Sequence, residues 1–206
     1  MIMSVGSIYM GEKISEVSKY LCGCFTLEKE ISDLYFAVTK KLPCQQLSLI
    51  TLSIAYDNQK HVAVLNEILK PLLHIPISKN LLSEEFKVGF CEVSKLHNTL
   101  IMKGDMDSED IDSLLNNLTK IEDYLYDLYV NLIDFKLMQD YSTSFSDYSV
   151  LNSENLFYIL KTLKQDNLKH RRMLIDGLYF YNRNFIENKD TTPIVRYQNP
   201  EAWVHH

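Results

Sequence analysis

Residues 57–61 read Asp-Asn-Gln-Lys-His and residues 166–170 read Asp-Asn-Leu-Lys-His, one polar word written twice with a single change. Each copy interrupts an apolar stripe with helical spacing. Leu47, Ile50, Ile54, Leu65, Ile68 and Leu72 surround the first; Leu156, Leu160, Leu163, Leu174 and Leu178 surround the second. The skipped beats are Asn58 and His61 in one stripe, Asn167 and His170 in the other. Residues three apart share a helix face, so each pair points where its apolar neighbours point, into a core.

Two more stripes skip a beat. A helix over 15–42 carries Val17, Leu21, Cys24, Ile31, Tyr35, Val38 and Leu42, with Glu28 in the gap, and Pro43 stops it. A helix running from Asp107, its N-cap, to about 139 carries Ile111, Leu115, Leu118, Leu125, Tyr129 and Leu132, with Glu122 in the gap. The words containing these glutamates also repeat: EKEISDLY at 28–35 and EDYLYDLY at 122–129 both begin with Glu and end in Asp-Leu-Tyr. The polar-word helices span 45–70 and, capped by Asn152 or Ser153, run to about 187. A further helix over 83–103, with Ser83 as N-cap, is bounded by Gly104.

The connection between the first two long helices is short, so they pair antiparallel. The connection over 74–107 is long enough to cross from one end of a bundle to the other. The expected fold is all-α: an antiparallel four-helix bundle over 1–188 with an extra helix in one long crossover, followed by an extended tail over 189–206. Trp203 of the tail would pack on this chain or on a neighbour, which leaves a homodimer open.

Composition bounds the rest. The 206 residues include 6 Gly and 5 Pro, sparse punctuation that favours long helices, and 46% are hydrophobic. A formal net charge of −6 argues against nucleic-acid and anionic-membrane partners. No apolar run is long enough to span a bilayer. Residues 1–13 lack the basic-then-apolar pattern of a leader, and the expected location is cytoplasmic. Cys22, Cys24, Cys44 and Cys91 lack zinc-type spacing and read as small apolar residues. The basic run at 169–172 reads as a solvated helix face, and His205 and His206 are given no role.

Two Glu, two Asn and two His thus meet at one level of the expected bundle. Burying a lone carboxylate costs several kcal/mol unless it is paired or binds a metal. The pattern resembles the ferritin-like superfamily, rubrerythrin-type carboxylate proteins most of all. In that family two helices each supply a Glu and two supply Glu-x-x-His. The resemblance implies that Glu28 and Glu122 match the single glutamates and that His61 and His170 match the histidines. Asn58 and Asn167 stand where the family has its remaining glutamates. It also implies a divalent metal, iron by family.

The asparagines change the chemistry. Glu28 and Glu122 alone balance one divalent ion rather than two, and Asn is a poor bridge between metals. Two readings follow. One is a metal-binding protein with an altered site, as a binder or a one-metal oxidoreductase. The other is a metal-free scaffold or interaction protein, in which ionised Glu28 and Glu122 balance protonated His61 and His170. Asp57 and Asp166 precede the asparagines and lie four residues before each His; they are expected on the flank or in solvent, the alternative being that a slight helix rotation offers them to the site instead. Tyr35 and Tyr129 either serve the site, as redox-active groups or by hydrogen-bonding it, or are core residues with tethered hydroxyls.

Overall fold

The computed structural model describes residues 16–70, 82–134 and 153–183. These form five helices and, among the described residues, no strand: α1 (Glu16–Thr39), α2 (Gln45–Leu69), α3 (Glu84–Met102), α4 (Ser108–Asp134) and α5 (Ser153–Tyr181). Helix starts fall within about two residues of their predicted positions, a margin normal for frayed ends. Helix ends are shorter. α1 stops at Thr39 because Leu42 precedes Pro43, which disfavours the helical conformation; the Lys41 and Leu42 amides turn back to the Val38 carbonyl instead (2.9 and 3.2 Å). The expected ends of α4 and α5 near 139 and 187, the cap at Asn152, Leu72 and the tail with Trp203 lie outside the described residues.

The capping expectations divide. Asp107 caps α4 as expected: its Oδ1 accepts from the Asp110 amide at 2.9 Å, and Asp110 Oδ2 accepts from the Asp107 amide at 3.3 Å. This is the reciprocal capping box, with Asp in the usual Glu place. Ser83 occupies the N-cap position of α3, but its hydroxyl makes no capping bond. There Glu84 and Glu85 in the first turn complement the helix dipole instead.

Side-chain contacts fix the direction of each pairing. Along α1, Glu28, Ser32 and Thr39 meet His61, Ala55 and Thr51 of α2 in descending order, so α1 and α2 are antiparallel. Glu122 and Tyr126 of α4 meet His170 and Lys164 of α5 in the same inverse sense. Asp57 and His61 of α2 meet His170 and Asp166 of α5, again inverted. Glu28 and Tyr35 of α1 meet Tyr129 and Glu122 of α4. All four long helices therefore share one polar layer.

Helix α3 lies over α1 and α4, and two glycines permit the close approach. A Cβ on Gly23 would lie 2.6 Å from the Phe86 ring, and one on Gly89 would lie 2.5 Å from Tyr124. Tyr124 also donates its hydroxyl to the Glu85 carbonyl, and Asn131 Nδ2 donates to Glu85 Oε1 at 3.0 Å. The apolar core is continuous above and below the polar layer, from Leu21, Ile31 and Leu34 through Leu65, Leu118 and Leu125 to Leu160 and Leu174, each at most 0% exposed. No helix among the described residues is long and apolar enough to cross a membrane.

Candidate functional site

The six residues singled out by the broken stripes, Glu28, Asn58, His61, Glu122, Asn167 and His170, are all fully buried. At the centre the His61 and His170 rings stack with centroids 5.9 Å apart and planes 23° from parallel. Around them the two halves of the chain repeat each other's bonds. His61 Nδ1 lies 3.2 Å from Glu28 Oε1, and His170 Nδ1 lies 3.3 Å from Glu122 Oε2. Each Nδ1 thus faces the glutamate of its own hairpin.

The outer nitrogens meet Asp57 and Asp166, which lie on the flank with side chains 23% and 20% exposed and are nonetheless engaged. Asp166 Oδ2 lies 3.2 Å from His61 Nε2, and Asp57 Oδ2 lies 3.2 Å from His170 Nε2. Each aspartate reaches the histidine of the other hairpin. The reason is helical geometry: each aspartate lies four residues before the histidine of its own helix and so on the same side of it, and α2 and α5 approach there closely enough to cross-pair. Lys60 Nζ then bridges both aspartates at 3.1 Å each, and Lys169 stands 3.8 Å from Asp57. The lysine of the repeated word was the signal available for this bridge.

The tyrosines cross between hairpins too. Tyr35 of α1 donates to Glu122 Oε1 at 2.6 Å, and Tyr129 of α4 donates to Glu28 Oε1 at 2.9 Å. Burial and the adjacent glutamate carboxylates hold both phenols protonated well above the usual tyrosine range. Their hydroxyls hydrogen-bond the two buried glutamates, one of the roles expected of them, from fully buried core positions. The basic run at 169–172 divides: His170 turns into the core, Arg172 is exposed, and Arg171 pairs with Asp123 at 2.7 Å. Cys22, Cys24 and Cys44 are buried and free, and Cys91 is exposed.

Electrostatically the layer is an alternation of signs. A carboxylate can only accept hydrogen bonds, and each imidazole has one on either side, so both ring nitrogens are called on to donate. Burial alone would depress the histidines, but Glu28 and Asp166 raise His61 to about 9, and Glu122 and Asp57 raise His170. The hydrogen bond from His61, with Lys60, holds Asp166 well below the usual carboxylate range against the opposing effect of burial. For Asp57 burial is likewise overcome by Lys60 and His170.

The asparagines are the exception to this saturation. Oδ1 and Nδ2 of Asn58, Oδ1 and Nδ2 of Asn167, and Oε2 of Glu28 are buried without a hydrogen-bond partner. Each such atom costs about 1–3 kcal/mol when nothing satisfies it. Among the described residues no cluster of three or more His, Cys, Asp or Glu is arranged to hold a metal. Each half instead offers one carboxylate, one imidazole and one amide. Comparison with known protein families, with curated protein sequences and with solved structures finds no match.

Proposed function

We propose that the chain is a ferritin-like metal-binding protein: α1, α2, α4 and α5 as an antiparallel four-helix bundle, α3 in its one crossover, and one divalent ion held at the level of the two histidines. The unpartnered Asn58 and Asn167 amides carry this reading. Two fully buried amides with every polar atom unsatisfied, on neighbouring helices at one level, call for an occupant that the protein's own atoms do not provide.

The donor set fits a divalent ion. Glu28, Asn58 Oδ1 and His61 Nδ1 form one half, and Glu122, Asn167 Oδ1 and His170 Nδ1 the other. Such N/O donors suit iron, zinc, manganese or cobalt and do not choose among them. The outer hydrogen bonds also fit: a metal-binding histidine commonly gives its second ring N–H to a carboxylate, which fixes the ring's orientation. Asp166 and Asp57 stand where that role requires. Tyr35 and Tyr129 hold one oxygen of each glutamate in place. His61 and His170 would release their shared inner protons to become ligands. A bound ion would supply Lewis acidity and, if iron, one-electron chemistry. A neutral pair of asparagines in place of bridging carboxylates supports a capacity of one ion and little turnover of peroxide or dioxygen.

One observation favours a metal-free scaffold instead. With both imidazoles protonated, Glu28, Glu122, Asp57 and Asp166 balance His61, His170, Lys60 and Lys169, so the layer is neutral without an ion. Metal analysis of untagged protein purified away from metal resins, followed by anaerobic reconstitution with ferrous iron, separates the readings. One ion per chain is expected. No ion under either condition establishes the scaffold; two ions per chain would show that the charge argument fails and that Asp57 and Asp166 are ligands.

A further inference from the structure

A second feature lies away from the polar layer, between α1, α3 and α4. There a cavity of about 400 Å³ opens beneath α3, within the range of small-molecule sites. Its floor is made by core residues, Leu27, Ile31, Leu96, Leu100 and Leu114. Helices α3 and α4 border it antiparallel, since Tyr124 reaches the Glu85 carbonyl at one end and Lys103 reaches Asp110 at the other. The bordering stretch from Val88 to Lys103 spans about 20 Å at 1.5 Å per residue. Apolar side chains of Val88, Val93, Leu96 and Leu100 line the cavity along that length.

The rim carries the charge. Lys95, Lys103 and Lys120 face Glu92 and Asp110 around the mouth. Lys95 is paired with Glu92 at 2.7 Å, and Lys103 with Asp110. Lys120 is exposed, and its hydrogen bond is to the neutral Asn117 Oδ1 at 3.5 Å. The mouth therefore holds one positive charge in surplus on a chain whose net charge is −6.

We infer that this cavity binds a single-chain amphipathic monoanion, a free fatty acid of medium length, with its carboxylate at Lys120 and its chain lying over Leu96, Leu100 and Leu114. The length of the apolar lining suits one extended chain, and the rim favours a negative head over a neutral or positive one. The inference stands independently of whether the polar layer holds a metal.

Titration calorimetry with dodecanoate below its micellar concentration tests it. One saturable site per chain is expected. Lys120→Glu should weaken binding by about tenfold or more, since it replaces attraction by repulsion at the head group. Ser113→Trp should abolish binding by filling the mouth. Both substitutions are at exposed positions, and circular dichroism would confirm that each variant keeps its helices. Dodecanol should bind at least about tenfold more weakly than dodecanoate. Absence of saturable dodecanoate binding, equal binding by both substitutions and the parent chain, or equal affinity for the alcohol would each overturn the inference.

Discussion

Glu28 does three things at once: it faces His61 through Oε1, accepts from Tyr129 on the same oxygen, and leaves Oε2 unpaired in the core. Removing it strands a buried imidazole beside Asp166 and a buried phenol. Glu28→Ala should therefore destabilise the metal-free chain by about 3 kcal/mol, in the range for breaking a buried pair by removing one partner. Chemical denaturation measures this, and an unchanged midpoint would show that the carboxylate contributes nothing to the layer. The histidine makes a second prediction at the same scale. His61 holds its proton up to about 9 in the folded chain, against about 6.5 when unfolded. Its contribution is complete below about pH 6.5 and is lost as pH rises through 9, because there only the folded chain still binds the proton. Melting temperature of chelator-treated protein should fall between these limits. Asp57 and Asp166 act in the opposite sense: their folded-state values are depressed, so their stabilisation is present above the ordinary aspartate range and fades as acid protonates them. A plateau between about pH 5 and 6.5 is the expected result.

At the scale of the element, α3 is the helix held by close approach rather than by hairpin geometry. Gly89 permits its contact with Tyr124, and an added methyl would sit 2.5 Å from the ring edge. Tyr124 is restrained by its own bond to the Glu85 carbonyl, so the ring cannot swing aside freely. Gly89→Ala should cost about 1–3 kcal/mol by overpacking, although Ala is the better helix former. Gly104 has open space around its would-be Cβ, and Gly104→Ala should change thermal stability by no more than about 0.5 kcal/mol. Equal effects at both sites in thermal unfolding would contradict the close packing of α3.

For the whole molecule, the polar layer closes a ring through all four long helices. Glu28–His61 joins α1 to α2, His61–Asp166 and Asp57–His170 join α2 to α5, Glu122–His170 joins α5 to α4, and the two tyrosine bonds join α4 to α1. Asn58 and Asn167, on α2 and α5, are fully buried and take no part in this ring's bonds. If they stand in for carboxylates, the double substitution Asn58→Glu with Asn167→Glu should raise metal capacity from one toward two ions per chain. Without metal the same variant should be less stable than the parent, since two more buried carboxylates then repel those already present. Metal analysis and denaturation of the same preparation read both effects. A variant that gains charge but no capacity would place the occupant of the layer outside metal chemistry.

Period and interruption were enough to find the helices and the layer. The four stripes located all four long helices, and the skipped beats at Glu28, Asn58, His61, Glu122, Asn167 and His170 are buried, because a residue on an apolar face has nowhere else to go. Local rules also placed the Asp107 cap and the stop before Pro43. Pairing across hairpins was another matter. That Asp166 serves His61 and Asp57 serves His170, that Tyr35 tethers Glu122 and Tyr129 tethers Glu28, and that Lys60 spans both aspartates depend on which helix lies beside which, and at what height. The helical period assigns a residue to a face, but the neighbour that face meets is set by packing between segments far apart in the chain. The close approach at Gly23 and Gly89, and the cavity beside it, arise the same way: they are properties of the space between helices, which no single helix encodes.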